Sequence, residues 1–99
     1  MKIISVGDED MNILFGLIGI HGKTLPMLDP PEFQAEFDQI IKDKEIGLIL
    51  MNEKYLIKYK SYFKSIKSRK FPIVVEVPDI KGPLDFDFFK KFIQNYIGL

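Results

Sequence analysis

The chain of 99 residues has no cysteine, no tryptophan and a single histidine. The absence of cysteine excludes a disulfide framework, thiolate metal ligands and a thiol nucleophile. No serine or cysteine nucleophile is matched to His21 with an orienting partner, so we expect this histidine to pack or hydrogen-bond in a loop. The sequence therefore predicts a protein with neither an active site nor a cofactor of its own.

The chain also lacks a long apolar run. Its most continuous apolar stretch, residues 46–51, is far shorter than the roughly 20 residues that cross a bilayer. The N-terminus has one lysine and a short apolar run that ends at acidic residues 8–10, too short and too soon acidic for a signal peptide. We expect a cytoplasmic protein with no segment inserted in a membrane.

The composition is sufficient for one domain with a real core. Hydrophobic residues make up 46% of the chain, and nine phenylalanines and four tyrosines are among its aromatic residues. At about 100–200 residues per domain, the chain forms a single domain. A domain of this size buries enough surface to fold without disulfides or metals.

The charge is balanced overall but segregated along the chain. Fourteen basic residues face fourteen acidic ones, so no overall field favours nucleic acid or a membrane surface. Residues 1–53 hold four lysines and ten acidic residues, whereas residues 54–70 hold six lysines and Arg69 with no acidic residue. This basic segment predicts a solvated helix face or a patch for an acidic protein. Phosphate or nucleic-acid binding, which would be strongly salt-dependent, is less favoured because the forked arginine is nearly absent.

Strands and helices alternate in the predicted pattern. Strands are expected at residues 2–6, 46–51 and 71–77, with a poor strand at 23–28 that Pro26 restricts to a sheet edge or loop. Helices are expected at residues 11–20, 30–41, 53–68 and 86–97. The alternation predicts an α/β fold: a small doubly wound, four-stranded parallel sheet of the Rossmann or flavodoxin type, flanked by helices, with a C-terminal helix. We divide this single domain into a core, residues 1–83, and a C-terminal helical segment, residues 84–99.

The first predicted helix is rich in both apolar residues and glycine. Its apolar positions are too dense for a helix with one buried side. Gly16 and Gly19 predict close packing of this helix against the sheet. With Gly22 they do not form a dinucleotide fingerprint, because that motif needs its glycines between a strand and a helix.

Acidic residues follow the predicted strands. Because ligands bind at the carboxyl ends of parallel strands, Asp8, Asp10 and Asp79 suggest a Mg²⁺ site in a receiver-like or flavodoxin-like regulatory domain. The strand predicted at residues 46–51, however, is followed by Asn52, and an amide cannot accept a phosphoryl group. The favoured interpretation is that these side chains cap helices.

The last predicted helix is the most apolar surface of the chain. Its large apolar side chains fall within ten positions: Phe88, Phe89, Phe92, Ile93, Tyr96 and Ile97. Two interpretations stay open, packing on the sheet and docking on another helix, since aromatic residues are enriched at interface centres.

Four segments, in order along the chain, resemble the F subunit of V-type and archaeal A-type rotary ATPases. Residues 1–10 (MKIISVGDED) resemble the opening strand of that family and its Gly-Asp turn. Residues 15–20 (FGLIGI) are similar to its first helix, and residues 46–53 (IGLILMNE) to its buried strand. Residues 72–83 (PIVVEVPDIKGP) resemble its last strand and loop.

The resemblance implies a non-catalytic rotor subunit of the central stalk. Such a protein binds the coiled-coil D subunit of that stalk, turns within the ring of catalytic A and B subunits, and helps couple ATP hydrolysis or synthesis to ion transport. It is peripheral to the membrane through the complex and binds no nucleic acid. We predict that the partner-binding residues are Phe88, Phe89, Phe92, Ile93 and Tyr96 of the last helix, with Pro78, Asp79 and Gly82 of the preceding loop.

Overall fold

The computed structural model of the chain describes residues 1–79 and 86–97. Strands and helices alternate through most of it, as the sequence predicts. In chain order the elements are β1 (Lys2–Gly7), α1 (Glu9–Gly16), β2 (His21–Thr24), α2 (Pro30–Ile41), β3 (Ile46–Asn52), α3 (Glu53–Lys58), α4 (Lys60–Lys67), β4 (Ile73–Val77) and α5 (Phe86–Phe92), which continues as a π-helical turn (Ile93–Ile97).

The four strands form one parallel sheet in the order β2-β1-β3-β4. The predicted fold class is therefore confirmed. The apolar run of β3 is central, as expected for a strand covered on both faces. The poor strand lies at an edge, although β2 begins earlier than predicted and ends before Pro26.

Helices cover both faces of the sheet. The chain moves from β1 to β2 in one direction across the sheet, and from β2 to β3 and β4 in the opposite direction. With right-handed crossovers, α1 packs on one face, and α2, α3 and α4 on the other. The α2–α4 face has the larger buried aromatic cluster, with Phe33, Phe37, Tyr55, Tyr59 and Phe63. The α1–α5 face has Met11, Leu14, Phe15, Ile20, Phe92 and Ile93.

The predicted close packing at Gly16 and Gly19 is wrong. A β-carbon built at either glycine would have no atom within 4 Å. Gly19 has a φ of +87°, so it supplies the left-handed residue that turns the chain from α1 towards β2. Close approaches to α1 occur instead at Gly22, where a β-carbon would lie 2.7 Å from Cβ of Asn12, and at Gly7, where it would lie 2.6 Å from Sδ of Met11.

The helix predicted at residues 53–68 is divided at Tyr59. The backbone there leaves helical geometry, but Tyr59 N–H still donates to Tyr55 O, and Phe63 N–H to Tyr59 O. The division is therefore a local distortion of one helical segment. Tyr59, Phe63 and Ile66 of this segment are buried on its inner side.

The C-terminal helix is α-helical as far as Phe92 and then widens into the π-helical turn. The predicted boundary between core and C-terminal segment falls outside the described residues and stays a prediction. Within residues 1–79 and 86–97, no helix combines the length and the hydropathy that crossing a bilayer requires.

Candidate partner-binding surfaces

The carboxyl ends of β1 and β3 lie side by side, at the point where a doubly wound sheet ordinarily binds its ligand. Here an internal polar network fills that point. Lys54 Nζ lies 3.3 Å from Asp79 Oδ2 and 3.7 Å from Asp8 Oδ2. Asn52, fully buried, donates from Nδ2 to Asp79 Oδ1 at 3.3 Å.

Two of these side chains, Asp8 and Asn52, cap helices, as the favoured interpretation predicted for them. Asp8 accepts the Met11 N–H at the start of α1 at 2.9 Å, and Asn52 accepts the Lys54 N–H at the start of α3 at 2.9 Å. Glu53 Oε1 accepts the Asp79 N–H at 3.1 Å, which fastens the chain leaving β4 to α3.

The geometry does not support the Mg²⁺ hypothesis. The ammonium group of Lys54 occupies the position between Asp8 and Asp79 that a cation would take. Asp10 lies apart, exposed in the first turn of α1. In the described part of the chain, no three side chains of the metal-binding types His, Cys, Asp and Glu come together.

A second polar network holds α1 on the sheet. Asn12 Oδ1 accepts the Ser5 hydroxyl at 2.7 Å, and Asn12 Nδ2 donates to Thr24 Oγ1 at 3.0 Å and to Gly7 O at 3.3 Å. One side chain therefore joins α1 to both β1 and β2. These hydrogen bonds hold α1 in a defined position on the sheet.

The outer side of α1 is apolar and exposed towards its C-terminal end, whereas Glu9 and Asp10 are exposed in its first turn. Ile13 is 55% exposed, and Leu17, the residue that caps the end of α1, is 70% exposed. They lie four positions apart, about one helical turn, so they are neighbours on one side of the helix. Ile18 beside them is 38% exposed. Sequence reasoning missed this surface. The signal was the density of apolar residues over 11–20, which exceeded what one buried side can accommodate.

The structure places only some of the predicted partner-binding residues. Phe92 and Ile93 are buried on the α1–α5 face, and the Phe92 ring meets the Phe15 ring edge-on at a centroid distance of 6.2 Å. They anchor α5 to the sheet. Pro78 and Asp79 are half-buried, with Asp79 in the Lys54 network.

The other predicted residues are described in part or not at all. The backbone of Phe88 and Phe89 is helical and that of Tyr96 lies in the π-helical turn, but their side chains are outside the described part. Gly82 lies outside the described residues. These assignments stay predictions.

The outer side of α3 and α4 has the opposite character. It exposes Lys60, Lys64 and Lys67, and just beyond α4 Arg69 and Lys70 are exposed as well. We call these five residues the lysine face. Ile57, 72% exposed, lies on α3 just before it.

Three tyrosine hydroxyls on the α2–α4 side of the sheet form hydrogen bonds within the domain, and none of them is a reactive group. Tyr55 donates to Leu25 O, Tyr59 to Leu28 O at 2.5 Å, and Tyr62 to Asp38 Oδ1 at 2.5 Å. Burial raises the pKa of all three tyrosines, and the Asp38 carboxylate raises that of Tyr62 further. They are neutral hydrogen-bond donors at physiological pH.

Comparison with known proteins gives one consistent result. The family model described as ATP synthase (F/14-kDa) subunit matches residues 3–97. The chain is 32% identical over 101 residues to the F subunit of the A-type ATP synthase of Methanococcus maripaludis strain S2, covering all of this chain and 97% of that protein. It is 31% identical over 104 residues to the F subunit of the A-type ATP synthase of Thermococcus kodakarensis, covering all of this chain and 96% of that protein. No solved structure matches the chain significantly.

The fold and the full-length match define a class, the accessory, non-catalytic α/β subunits of rotary ATPase complexes. Within that class, the chain belongs to the family of ATP synthase (F/14-kDa) subunits. The resemblance of the four sequence segments is therefore confirmed.

Proposed function

We propose that the chain is a central-stalk rotor subunit that binds the coiled-coil D subunit through its α1–α5 face. In this role it carries out no chemistry and helps couple ATP hydrolysis or synthesis to ion transport. The observation that carries the proposal is the exposed apolar pair Ile13 and Leu17 on α1, a helix already fixed to the sheet.

The spacing of this pair suits a helical partner. Side chains four residues apart form the ridge that packs into the groove of another helix. Isolated exposed apolar residues are common on proteins, but adjacent ones on one side of a helix are typical of an interaction surface. Ile13 and Leu17 offer a coiled coil such a ridge, and Ile18 in the turn after α1 extends the exposed apolar area.

The last helix extends the proposed surface. A stable interface buries about 800 Å² on each partner, which is more than α1 alone provides. Phe92 and Ile93 hold α5 beside α1 on the same face of the sheet. Phe88, Phe89 and Tyr96, and the loop with Pro78, Asp79 and Gly82, are the remaining proposed contacts.

The proposal sets the place of the chain in the complex. Bound to the D subunit, it turns with the central stalk within the ring of A and B subunits. It stays in the cytoplasm and is attached to the membrane only through the complex.

Binding to the purified D subunit tests the proposal. We expect a complex with a Kd in the micromolar range or below. The double variant Ile13→Gln/Leu17→Gln should bind at least about tenfold more weakly, because central apolar residues contribute most of the binding energy of an interface. The matched control Ile57→Gln, on the opposite face of the sheet, should bind like the wild type. No complex at high micromolar concentration, or full binding by the double variant, would contradict the proposal.

A further inference from the structure

We propose that the lysine face is a second interaction surface, which docks an acidic surface of another protein in the same complex. The inference rests on the proposed function and names a partner chemistry for the side of the molecule that faces away from α1 and α5.

The lysine face has charge of a single sign. Lys60, Lys64 and Lys67 recur at intervals of four and three residues, so they lie along one side of α4. No acidic residue occurs between residues 54 and 70. Of the seven basic side chains in this segment, only Lys54 lies within ion-pair distance of a carboxylate of the described residues.

This arrangement lowers the stability of the isolated helix. Like charges four residues apart destabilise a helix by about 0.2–0.5 kcal/mol for each pair, whereas alternating signs stabilise it by a similar amount. A face that only had to be solvated would be more stable with mixed signs. An acidic partner surface removes the repulsion and gains long-range attraction.

The residue types favour a protein partner over a nucleic acid. The lysine face has one arginine, and lysine supplies a hydrated point charge without the fork that binds phosphate in a bidentate manner. The aromatic rings of α4 point inward, since Phe63 is buried and Tyr62 packs edge-on against Phe33, so they offer no platform for stacked bases. Ile57 adds an exposed apolar contact that a protein surface can cover.

The position of the lysine face allows two partners at once. The sheet and its two cores separate α4 from α1. The D subunit on the α1–α5 face therefore leaves the lysine face free for a protein on the other side.

A charge-reversal pair tests the inference. The test variant Lys60→Glu/Lys64→Glu removes the uniform positive charge of the lysine face. The matched control Lys23→Glu/Lys42→Glu makes the same change in net charge at two exposed lysines outside this face. The probe is A-type ATP synthase that has been depleted of this chain, with association followed at about 50 mM and about 500 mM salt.

We expect the lysine-face variant to associate about tenfold more slowly than the wild type at low salt, with the difference lost at high salt. The control should follow the wild type. Both variants should keep their affinity for the isolated D subunit.

Other results would overturn the inference. Equal association of the wild type and the lysine-face variant would remove the second surface and leave the binding of the D subunit intact. Failure of the wild type to bind the D subunit would instead refute the proposed function. Three further results would each assign the lysine face to a different occupant. The wild type and the control would bind duplex DNA, bind vesicles containing phosphatidylserine, or self-associate in sedimentation, and only the lysine-face variant would lose that property.

Discussion

The two faces of the sheet are built differently. On the α2–α4 face, Phe33 stacks on Tyr59 at a centroid distance of 3.8 Å and touches four further rings, and the outer surface is charged. On the α1–α5 face, Phe15 and Phe92 meet edge-on at 6.2 Å, and the C-terminal end of α1 exposes Ile13 and Leu17 on its outer side. Both faces have a buried core, but the α2–α4 face has the larger aromatic cluster and a charged outer surface, whereas the α1–α5 face leaves the apolar side chains of Ile13 and Leu17 exposed.

The largest expected effect comes from removing the central ring of the α2–α4 face. Phe33→Ala should lower the free energy of unfolding by about 3–5 kcal/mol, because a fully buried ring with five aromatic neighbours leaves a cavity. Phe92→Ala on the other face should lower it by about 1–3 kcal/mol, because α5 can detach locally while the sheet stays folded. Urea denaturation of both variants measures the difference. Equal losses would contradict the asymmetry between the faces.

A smaller effect is expected from the glycines around α1. Gly22→Ala should lower the free energy of unfolding by about 1–3 kcal/mol, because its β-carbon would lie 2.7 Å from Asn12 Cβ. Gly16→Ala, where the added carbon meets nothing within 4 Å, should raise it by about 0.5–1 kcal/mol. Thermal or urea unfolding distinguishes the two. Destabilisation by Gly16→Ala would instead support the close packing at Gly16 that the sequence predicted.

A modest effect is expected where the polar network joins β1, β3 and β4. Lys54→Met leaves Asp8 and Asp79 without their shared ammonium and should lower the free energy of unfolding, measured by urea denaturation, by less than about 1 kcal/mol, since the pairs are partly exposed.

In the wild type, millimolar Mg²⁺ should not shift the amide signals of Asp8, Asn52 or Asp79. Saturable shifts at these residues would revive the regulatory Mg²⁺ site.

The smallest effect at neutral pH concerns the tyrosines of the α2–α4 face. Their pKa values are raised in the folded state above the unfolded value of 10.0, so their contribution is complete below about pH 10 and is lost as the pH rises further. The urea concentration at the midpoint of unfolding should therefore be lower at about pH 11 than at about pH 8, and this decrease should be smaller in Tyr62→Phe. An identical fall in Tyr62→Phe would show that Tyr62 does not contribute to the pH dependence.

The sequence was sufficient for the features that depend on neighbouring residues. The pattern of apolar residues predicted the alternating strands and helices, and Asp8 and Asn52 were recognisable as caps because a cap lies next to its helix. Pro26 restricted the poor strand to an edge or a loop, and β2 lies at an edge and ends before Pro26.

Features set by distant contacts were not predictable in the same way. Gly16 and Gly22 look equivalent in sequence, and only the position of Asn12 shows that Gly22 is the crowded one. The last helix is apolar on the side that meets the sheet, and sequence alone could not say that Phe92 and Ile93 are covered by Phe15 and its neighbours. The exposed pair Ile13 and Leu17 became visible only when α1 had a known orientation.

Isoleucine methyl groups provide the most direct test of the central claim, that the α1–α5 face binds the D subunit. Cross-saturation from an unlabelled D subunit to methyl-labelled isoleucines of this chain reports which face lies against the partner. Ile13 and Ile18 are exposed on the α1 side, and Ile57 is exposed on the opposite side. We predict that saturation reaches Ile13 and Ile18 and does not reach Ile57. Saturation of Ile57 without Ile13 and Ile18 would contradict the account.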